Sequence, residues 1–500
     1  MKKRAYISVF KKDTILSLAK KLVENNWEIV ATGSTCKYLN DNGINAVNSS
    51  TITGFEELLG GRVKSLHPDI FASILARENE FSTLNNPPFS LVAVDLYPFE
   101  DYINKNVDIE TLIENIDIGG VSILRAGAKN YQNVIVLSDF NDYDLDFENI
   151  TDEIREKLAI KAIEKTAKYD FIISKTLKNN LLKDDKNSFE GLVLDKKCDL
   201  RYGENPHQKA GLYSNSLENF IDYEVLGGKE LSYNNILDAT AAINISSEFF
   251  DCACITIIKH TTPCGVALAP TINEAWDKAL DSDPISAFGG IVCSTKEIDL
   301  ELAKKLTSMF LEVVIAPSYS SQAIEELRTK KNLRVIKINT PYENIKALNY
   351  KEFKQTPFGV LVQEADNLDL NPETFKVVTK AKPTAEQVED MIFAFKVCKY
   401  VKSNAIVVAK DLRTLGICGG QTNRVGAMEI AIKNVCDSPK DAVIASDGFL
   451  PAVDNVEVAA MNRISAIIQP GGSIKDADVI SLADKYGLCI INTGIRHFKH

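Results

Sequence analysis

Residues 252–268, CACITIIKHTTPCGVAL, constrain the fold more than any other stretch of the chain. The run 255–258 is apolar, β-branched, too short for a helix and closed by turn residues, which predicts an interior strand. Lys259 and His260 stand at its C-terminal end, where open α/β sheets place ligands, and Pro263 and Gly265 are expected to turn the backbone there. An ammonium beside an imidazole disfavours a second positive charge and keeps the ring neutral, the form a general base needs near pH 7. A Lys-His pair alone is more often a solvated strand end, so the neighbouring blocks decide its meaning.

Similar short strands recur. Those at 5–10, 28–31 and 91–95 alternate with helical patterns through residue 137, predicting a parallel sheet with helices on both faces. Thr32-Gly33-Ser34-Thr35 opens a helix directly after a strand, which makes either an anion cradle or a plain N-cap. Residues 60–68, GGRVKSLHP, set Arg62, Lys64 and His67 at near-alternate positions between two glycines and a proline, the pattern of a phosphate-facing loop. Residues 178–190, KNNLLKDDKNSFE, lack an apolar period and read as a linker. Beyond it the chain repeats an order of elements. Segments 255–259 and 405–410 are apolar strands ending in Lys, each expected to lead through a Gly-containing turn into a helix. Residues 283–290 then match 445–451, and 312–317 match 465–470, so two similar α/β halves are predicted. The chain ends in a strand, 488–491, that runs into TGIRHFKH, a tail able to enter a pocket.

Five hundred residues exceed what one core organises, so at least two domains are expected. With 57 Lys+Arg against 68 Asp+Glu the net charge is -11, which excludes a general nucleic-acid binder and leaves room for a local phosphate pocket. The 10 Cys show no paired metal spacing and the 5 His all fall in turn-like blocks, so reduced thiols, a cytoplasmic location and no zinc site are expected. The N-terminus does not read as a secretory signal, and no apolar run reaches membrane-spanning length.

Taken together, SVFKK, GRVKSLHP, DLYPF, IDIGGVSILRAGAKN, LRYGENPHQ, KHTTPCG, SAFGG, SDGFLPAVDN and RHFKH resemble, in order and over essentially the whole chain, one family. It is the bifunctional family that combines phosphoribosylaminoimidazolecarboxamide (AICAR) formyltransferase with inosine monophosphate (IMP) cyclohydrolase. The resemblance implies an α/β chain in two parts: a methylglyoxal-synthase-like parallel-sheet domain over 1–185 for cyclisation, and a formyltransferase over 186–500. The second part would hold two cytidine-deaminase-like halves without zinc, near 195–370 and 371–500. It further implies 10-formyltetrahydrofolate as co-substrate, the formylated ribotide (FAICAR) as intermediate and IMP as product. A homodimer with shared transferase sites and no catalytic metal follow from the same resemblance, which leaves a bound monovalent cation open.

Carried over residue by residue, the resemblance makes Lys259 and His260 the transferase pair, His260 the base and Lys259 the stabiliser of developing charge. Arg201, Tyr202, Phe288, Gly289, Asn404, Arg424, Arg496, Phe498 and His500 match substrate-contacting positions, and Phe449, Pro451, Asp454 and Asn455 match the folate side. In the first domain Ser8, Val9, Lys12, Thr32, Gly33, Ser34, Thr35 and Arg62 match a nucleotide pocket, with Lys64, Tyr97, Asp117 and Lys129 as catalytic groups. The chain departs from the family pattern at Ser34, Thr262, Cys418 and Thr422-Asn423, of which Thr262 adjoins the Lys-His pair. Two other readings compete: a silent nucleotide-binding regulator, disfavoured by the intact proton-transfer groups, and a deaminase or lyase, disfavoured for deamination by the missing zinc spacing.

Overall fold

The computed structural model describes residues 2–182, 190–215, 220–436 and 438–500. The chain divides into two compact units, Met1–Val193 and Leu194–His500.

The first unit is built on β1 (Arg4–Ser8), β2 (Glu28–Ala31), β3 (Ala46–Asn48), β4 (Leu91–Val94) and β5 (Ile135–Leu137), all parallel in the order β3-β2-β1-β4-β5. Alternate side chains feed two layers. Ala5, Ile7, Ile29, Leu91 and Ala93 pack with Ile15, Leu18 and Leu22 of helix Ile15–Glu24. Val92 and Val136 meet helix Gly119–Lys129 on the other face, so closely that a Cβ on Gly127 would lie 2.8 Å from Val92. Strands buried on both faces read as unbroken apolar runs, which is why they were legible.

Helix Asp152–Leu181, capped by the Thr151 hydroxyl on the Ile154 N–H, closes this unit. It overturns the first residues of the expected linker: 178–181 are helical, Thr176 is buried, and Asn180 Nδ2 donates to the Thr176 carbonyl at 2.8 Å. Of the remaining linker residues, 183–189 lie outside the described residues.

In the second unit β6 (Asp195–Leu200) and β7 (Ala210–Ser214) pair by themselves. The main sheet takes β8 (Tyr223–Gly227), β9 (Ala253–Lys259), β10 (Thr262–Ala269), β11 (Ile291–Ser294), β12 (Val313–Ala316) and β13 (Arg334–Ile338) from the first half. A separate hairpin follows, β14 (Lys351–Thr356) and β15 (Gly359–Glu364). The second half adds β16 (Lys376–Val377), β17 (Ile406–Lys410), β18 (Arg413–Cys418), β19 (Val443–Ser446), β20 (Ala466–Gln469) and β21 (Cys489–Asn492). The order is β16-β21-β20-β19-β17-β18-β10-β9-β11-β12-β13-β8, so each strand of one half has a counterpart in the other, and the halves meet head to head at β18 and β10.

Two details differ from the sequence reading. The Lys-ended strands β9 and β17 lead into hairpin partners, β10 and β18, before any helix; Pro263 and Gly265 lie inside β10, beside a bulge, and the turn is made by His260 and Thr261. A bulge is one of the few places a sheet tolerates proline. Second, the counterpart of 443–446 is 291–294, so 283–290 precede β11 and do not match 445–451. Helices Tyr233–Ser247 and Ala385–Cys398, one from each half, share a single core on one sheet face, with Phe249 and Phe393 ring centroids 5.3 Å apart. Each fully buried Ile or Val in it contributes about 1.5–3 kcal/mol.

Candidate active sites

In the first unit β1 and β4 are neighbours whose connections leave in opposite directions, so a crevice opens at their carboxyl ends. The Asp95 carboxylate closes its floor, accepting the backbone N–H of Phe10 and, at 2.9 Å, of Lys11. Burial pushes the Asp95 carboxyl up and the Lys12 ammonium down, against their mutual attraction. Lys12 Nζ donates to the Val9 carbonyl at 2.7 Å, and the buried Thr35 hydroxyl accepts the Val9 N–H at 3.4 Å and donates to its carbonyl at 3.2 Å. Thr32 stands at the N-cap of helix Gly33–Asp41 without a side-chain capping bond; its hydroxyl reaches Ser8 Oγ at 3.2 Å. That helix N-terminus faces a carboxylate: a Cβ on Gly33 would lie 2.6 Å from Glu57 Oε1. Ser34 is exposed beside it.

Three of the four catalytic candidates meet here. Lys64 Nζ lies 3.5 Å from the Tyr97 hydroxyl, and the Tyr97 N–H donates to Asp117 Oδ2 at 3.4 Å. Asp117 Oδ1 accepts the Gly120 N–H at 2.7 Å, which folds the carboxylate over the N-terminus of helix Gly119–Lys129. Burial pushes the Asp117 carboxyl up, and the N–H groups of Gly120 and Tyr97 with Lys64 pull it back. Lys129 is not brought to them. It is exposed at the other end of that helix, about 15 Å along the axis. Arg62, also exposed, is turned onto Glu114 at 2.8 and 2.6 Å.

In the second unit one edge of the twelve-stranded sheet gathers the candidates. β9 ends at this edge, β10, β11 and β17 begin there, and β18, β19, β20 and β21 end there. Lys259 Nζ donates to the Phe288 carbonyl and stands 3.2 Å from where a Cβ of Gly289 would be. Gly289 has φ +72° and its N–H donates to the Phe310 carbonyl, leaving the exposed Phe288 ring against Phe310. His260 is exposed beside them. Three strands along, about 14 Å, Asn404 precedes β17, and buried Arg424 donates from Nη2 to Asn404 Oδ1 at 2.8 Å and from Nη1 to Ser446 Oγ at 2.8 Å and to Asp447.

The C-terminal tail closes over this group. The Phe498 ring comes within 2.7 Å of a Cβ built on Gly448, Arg496 lies over the Phe498 ring at 4.3 Å, and His500 meets its edge at 6.0 Å. Phe449 and Pro451 are exposed in the connection after β19, while Asn455 is buried and bonded to Asp454 at 2.7 Å. Arg201, over the Tyr202 ring at 4.7 Å, sits in a loop tied to helix Tyr233–Ser247 by Asn234 Nδ2, which donates to the Glu204 carbonyl at 3.2 Å.

The AICARFT/IMPCHase bienzyme family model matches residues 127–434, and the MGS-like domain model matches residues 14–122. The chain belongs to the AICARFT/IMPCHase bienzyme family. It is 48% identical to the bifunctional purine biosynthesis protein PurH of Thermoanaerobacter sp. strain X514, 47% to that of Caldicellulosiruptor saccharolyticus and 45% to that of Bacillus cytotoxicus, each over 100% of both chains. A solved structure, "Crystal structure of ForH", aligns with 35% of this chain and 98% of its own at 30% identity and a TM-score of 0.30. Like its family, the chain is a bifunctional enzyme of purine biosynthesis, AICAR formyltransferase and IMP cyclohydrolase, at the last two steps to IMP.

Within this AICARFT/IMPCHase chain, several partners of the site had no signal of their own. Asp447 and Ser446 hold Arg424, and Gln421 accepts from Asn404 Nδ2 at 2.9 Å. His497, buried between two predicted contacts, pairs through Nδ1 with Asp366 at 2.6 Å. The departures from the family pattern are absorbed locally. Thr262 Oγ1 lies 3.4 Å from the His260 carbonyl, Cys418 is buried at the end of β18, and Asn423 caps helix Arg424–Lys433 by accepting the Gly426 N–H at 2.7 Å. Among the described residues no group of three His, Cys, Asp or Glu is arranged to hold a metal ion, and no helix is long and apolar enough to cross a membrane.

Proposed function

We propose that the second unit transfers the formyl group of 10-formyltetrahydrofolate to the 5-amino group of AICAR with His260 as base, and that the first unit closes the product to IMP. The observation that carries this is the shared sheet edge, with Lys259 and His260 at one point and the Asn404, Arg424 and Phe498 group at another. As the amine nitrogen attacks the formyl carbon, His260 takes its proton and the Lys259 ammonium balances the charge growing on the formyl oxygen. Collapse of the tetrahedral species expels tetrahydrofolate, whose N10 takes up a proton. Base catalysis of this kind supplies about 10²–10⁴-fold, the rest coming from positioning and charge. Arg201, Tyr202, Arg496, Phe498 and His500 then hold the ribotide, and Phe449, Pro451, Asp454 and Asn455 face the folate.

In the first unit the carboxamide nitrogen attacks the formyl carbon and water leaves. Lys64, Tyr97 and Asp117 form a contiguous relay for the protons moved, while Ser8, Val9, Lys12 and the Thr32 to Thr35 turn receive the phosphate end. Lys129 has no place in this relay within one chain. We further propose a cytoplasmic enzyme without nucleic-acid partners, working as a homodimer that shares its transferase sites. The exposed hairpin β14–β15, with Phe358, Val360 and Leu361 open to solvent, supports an intermolecular contact.

The test incubates the protein with AICAR and 10-formyltetrahydrofolate and separates the nucleotides over time. His260→Ala is expected to abolish formyl transfer and leave cyclisation of supplied FAICAR nearly intact, and Lys64→Ala to do the reverse. Loss of both activities in either variant would refute two independent sites.

A further inference from the structure

His260 and Thr261 are the two central residues of the β9–β10 hairpin, whose register pairs Lys259 with Thr262. Their φ angles are +50° and +59°. Two-residue hairpins of this form ask for Asn-Gly or similar pairs, and a β-branched residue at positive φ is out of place. The sequence supplies no glycine, so the turn needs a partner from elsewhere.

Asp238, on helix Tyr233–Ser247, supplies it. Its Oδ1 accepts the Thr261 N–H at 2.6 Å, and burial raises its carboxyl while the neighbouring His260 N–H draws it down. One turn earlier on the helix, Asn234 ties down the loop that carries Arg201 and Tyr202. A single helical face therefore sets the base relative to a substrate-contacting loop.

The second half repeats this clamp without the chemistry. Asp411 and Leu412 occupy the β17–β18 turn with φ +55° and +56°, and Asp390 on helix Ala385–Cys398 accepts their N–H groups at 3.0 and 2.7 Å. That turn lies at the opposite edge of the sheet and carries no imidazole. The clamp belongs to the turn in both halves, and only in the first does the turn present a base.

We propose that Asp238 is a positioning residue for formyl transfer: by holding the left-handed His260–Thr261 turn, it aims the imidazole at the amine of the bound ribotide. This rests on the reading of His260 as the base. A displacement of about 1 Å at such a group costs up to roughly 10²-fold in rate. Asp238→Ala is expected to lower the kcat of formyl transfer by about 10–100-fold, with KM for AICAR and for the folate held and cyclisation of supplied FAICAR unchanged. Asp238→Asn, which keeps one acceptor oxygen, should fall between Asp238→Ala and the parent. Asp390→Ala is the matched control; it should lower the unfolding midpoint about as much as Asp238→Ala and leave kcat within about twofold.

A kcat for Asp238→Ala within about threefold of the parent would overturn the proposal, as would an equal kcat loss in Asp390→Ala. If Asp238→Ala does not fold, Asp238→Asn decides alone: a lowered kcat at unchanged KM supports the clamp, and an unchanged kcat refutes it. His260→Ala in the same assay separates the two levels. Should it retain formyl transfer, the assignment of the base fails; should it abolish transfer while the Asp238 variants match the parent, only the positioning role fails.

Discussion

The buried pair of Arg424 and Asp447 gives a quantitative test of the site's framework. Their side chains are 5% and 0% exposed, and beyond each other they bind Asn404, Ser446 and Ser403, the last donating to Asp447 Oδ2 at 2.5 Å. Arg424→Met keeps most of the aliphatic stem and removes the charge, leaving the Asp447 carboxylate buried with a hydroxyl as its remaining side-chain partner. Breaking a buried pair in this way costs about 3–5 kcal/mol. At a urea dependence of about 3 kcal/mol per molar, the midpoint should fall by roughly 1–2 M. A two-unit chain need not unfold in one step, so the probe has to belong to one unit. The sequence has 2 Trp, one per unit: Trp27, and Trp276 on helix Ile272–Leu280. In a Trp27→Phe background, fluorescence reports the second unit alone. Adding Asp447→Asn to Arg424→Met removes the orphaned charge and should restore about 1–3 kcal/mol of the loss. A double variant no more stable than Arg424→Met would refute the reasoning, since the cost would then lie in packing and not in the uncompensated carboxylate.

Gly265→Ala and Gly416→Ala place a Cβ 1.9 Å from the Ala279 carbonyl oxygen and 2.0 Å from that of Ala431. Each should destabilise the second unit by about 1–3 kcal/mol or more, with equal shifts in the Trp276 transition. Thr35→Val leaves the Val9 N–H without its side-chain partner and its carbonyl with Lys12 alone; it should cost the first unit about 1–3 kcal/mol, read through Trp27, and raise KM for FAICAR in cyclisation. Burial alone would push the Glu248 carboxyl up, but Lys399, the Tyr400 hydroxyl and Lys346 outweigh it and hold the group below its ordinary 4.5. A carboxyl depressed on folding contributes stability that is present above its unfolded value and lost as pH falls through the folded one. Glu248→Gln should therefore flatten the loss of second-unit stability below pH 4.5, measured by Trp276 fluorescence in a pH series of urea titrations.

Much of the fold was legible because strands such as β4 and β9 are buried on both faces and so spell themselves as β-branched runs. The last turn of helix Asp152–Leu181 reads as linker because it is polar; it stays helical beside a buried Thr176 and with the side-chain bond of Asn180, neither of which leaves a periodic signal. The Lys259-His260 pair stood out by type. The residues that hold the site did not. Asp447 reaches Arg424 from 23 positions away and Asp238 reaches Thr261 from 23 as well, each an ordinary residue whose role exists only after the sheet has formed. Proline misled in the other direction: Pro263 marks a bulge within β10, and the turn beside it is made by residues that carry no turn signature.

A sheet assembled from two head-to-head repeats has two equivalent edges, and this chain has furnished only one. On the proposed reading, the first half gives that edge its reacting pair, Lys259 and His260, and the second gives it the anchors Asn404, Arg424 and the C-terminal tail. Neither repeat, cut free, would hold both, so on that reading the symmetry of the sheet carries a division of labour between its halves. At the far edge the Lys410–Asp411 turn keeps its clamp and has nothing to aim. Substitutions at Lys410 or Asp411 should therefore register in the stability of the second unit and leave formyl transfer unchanged.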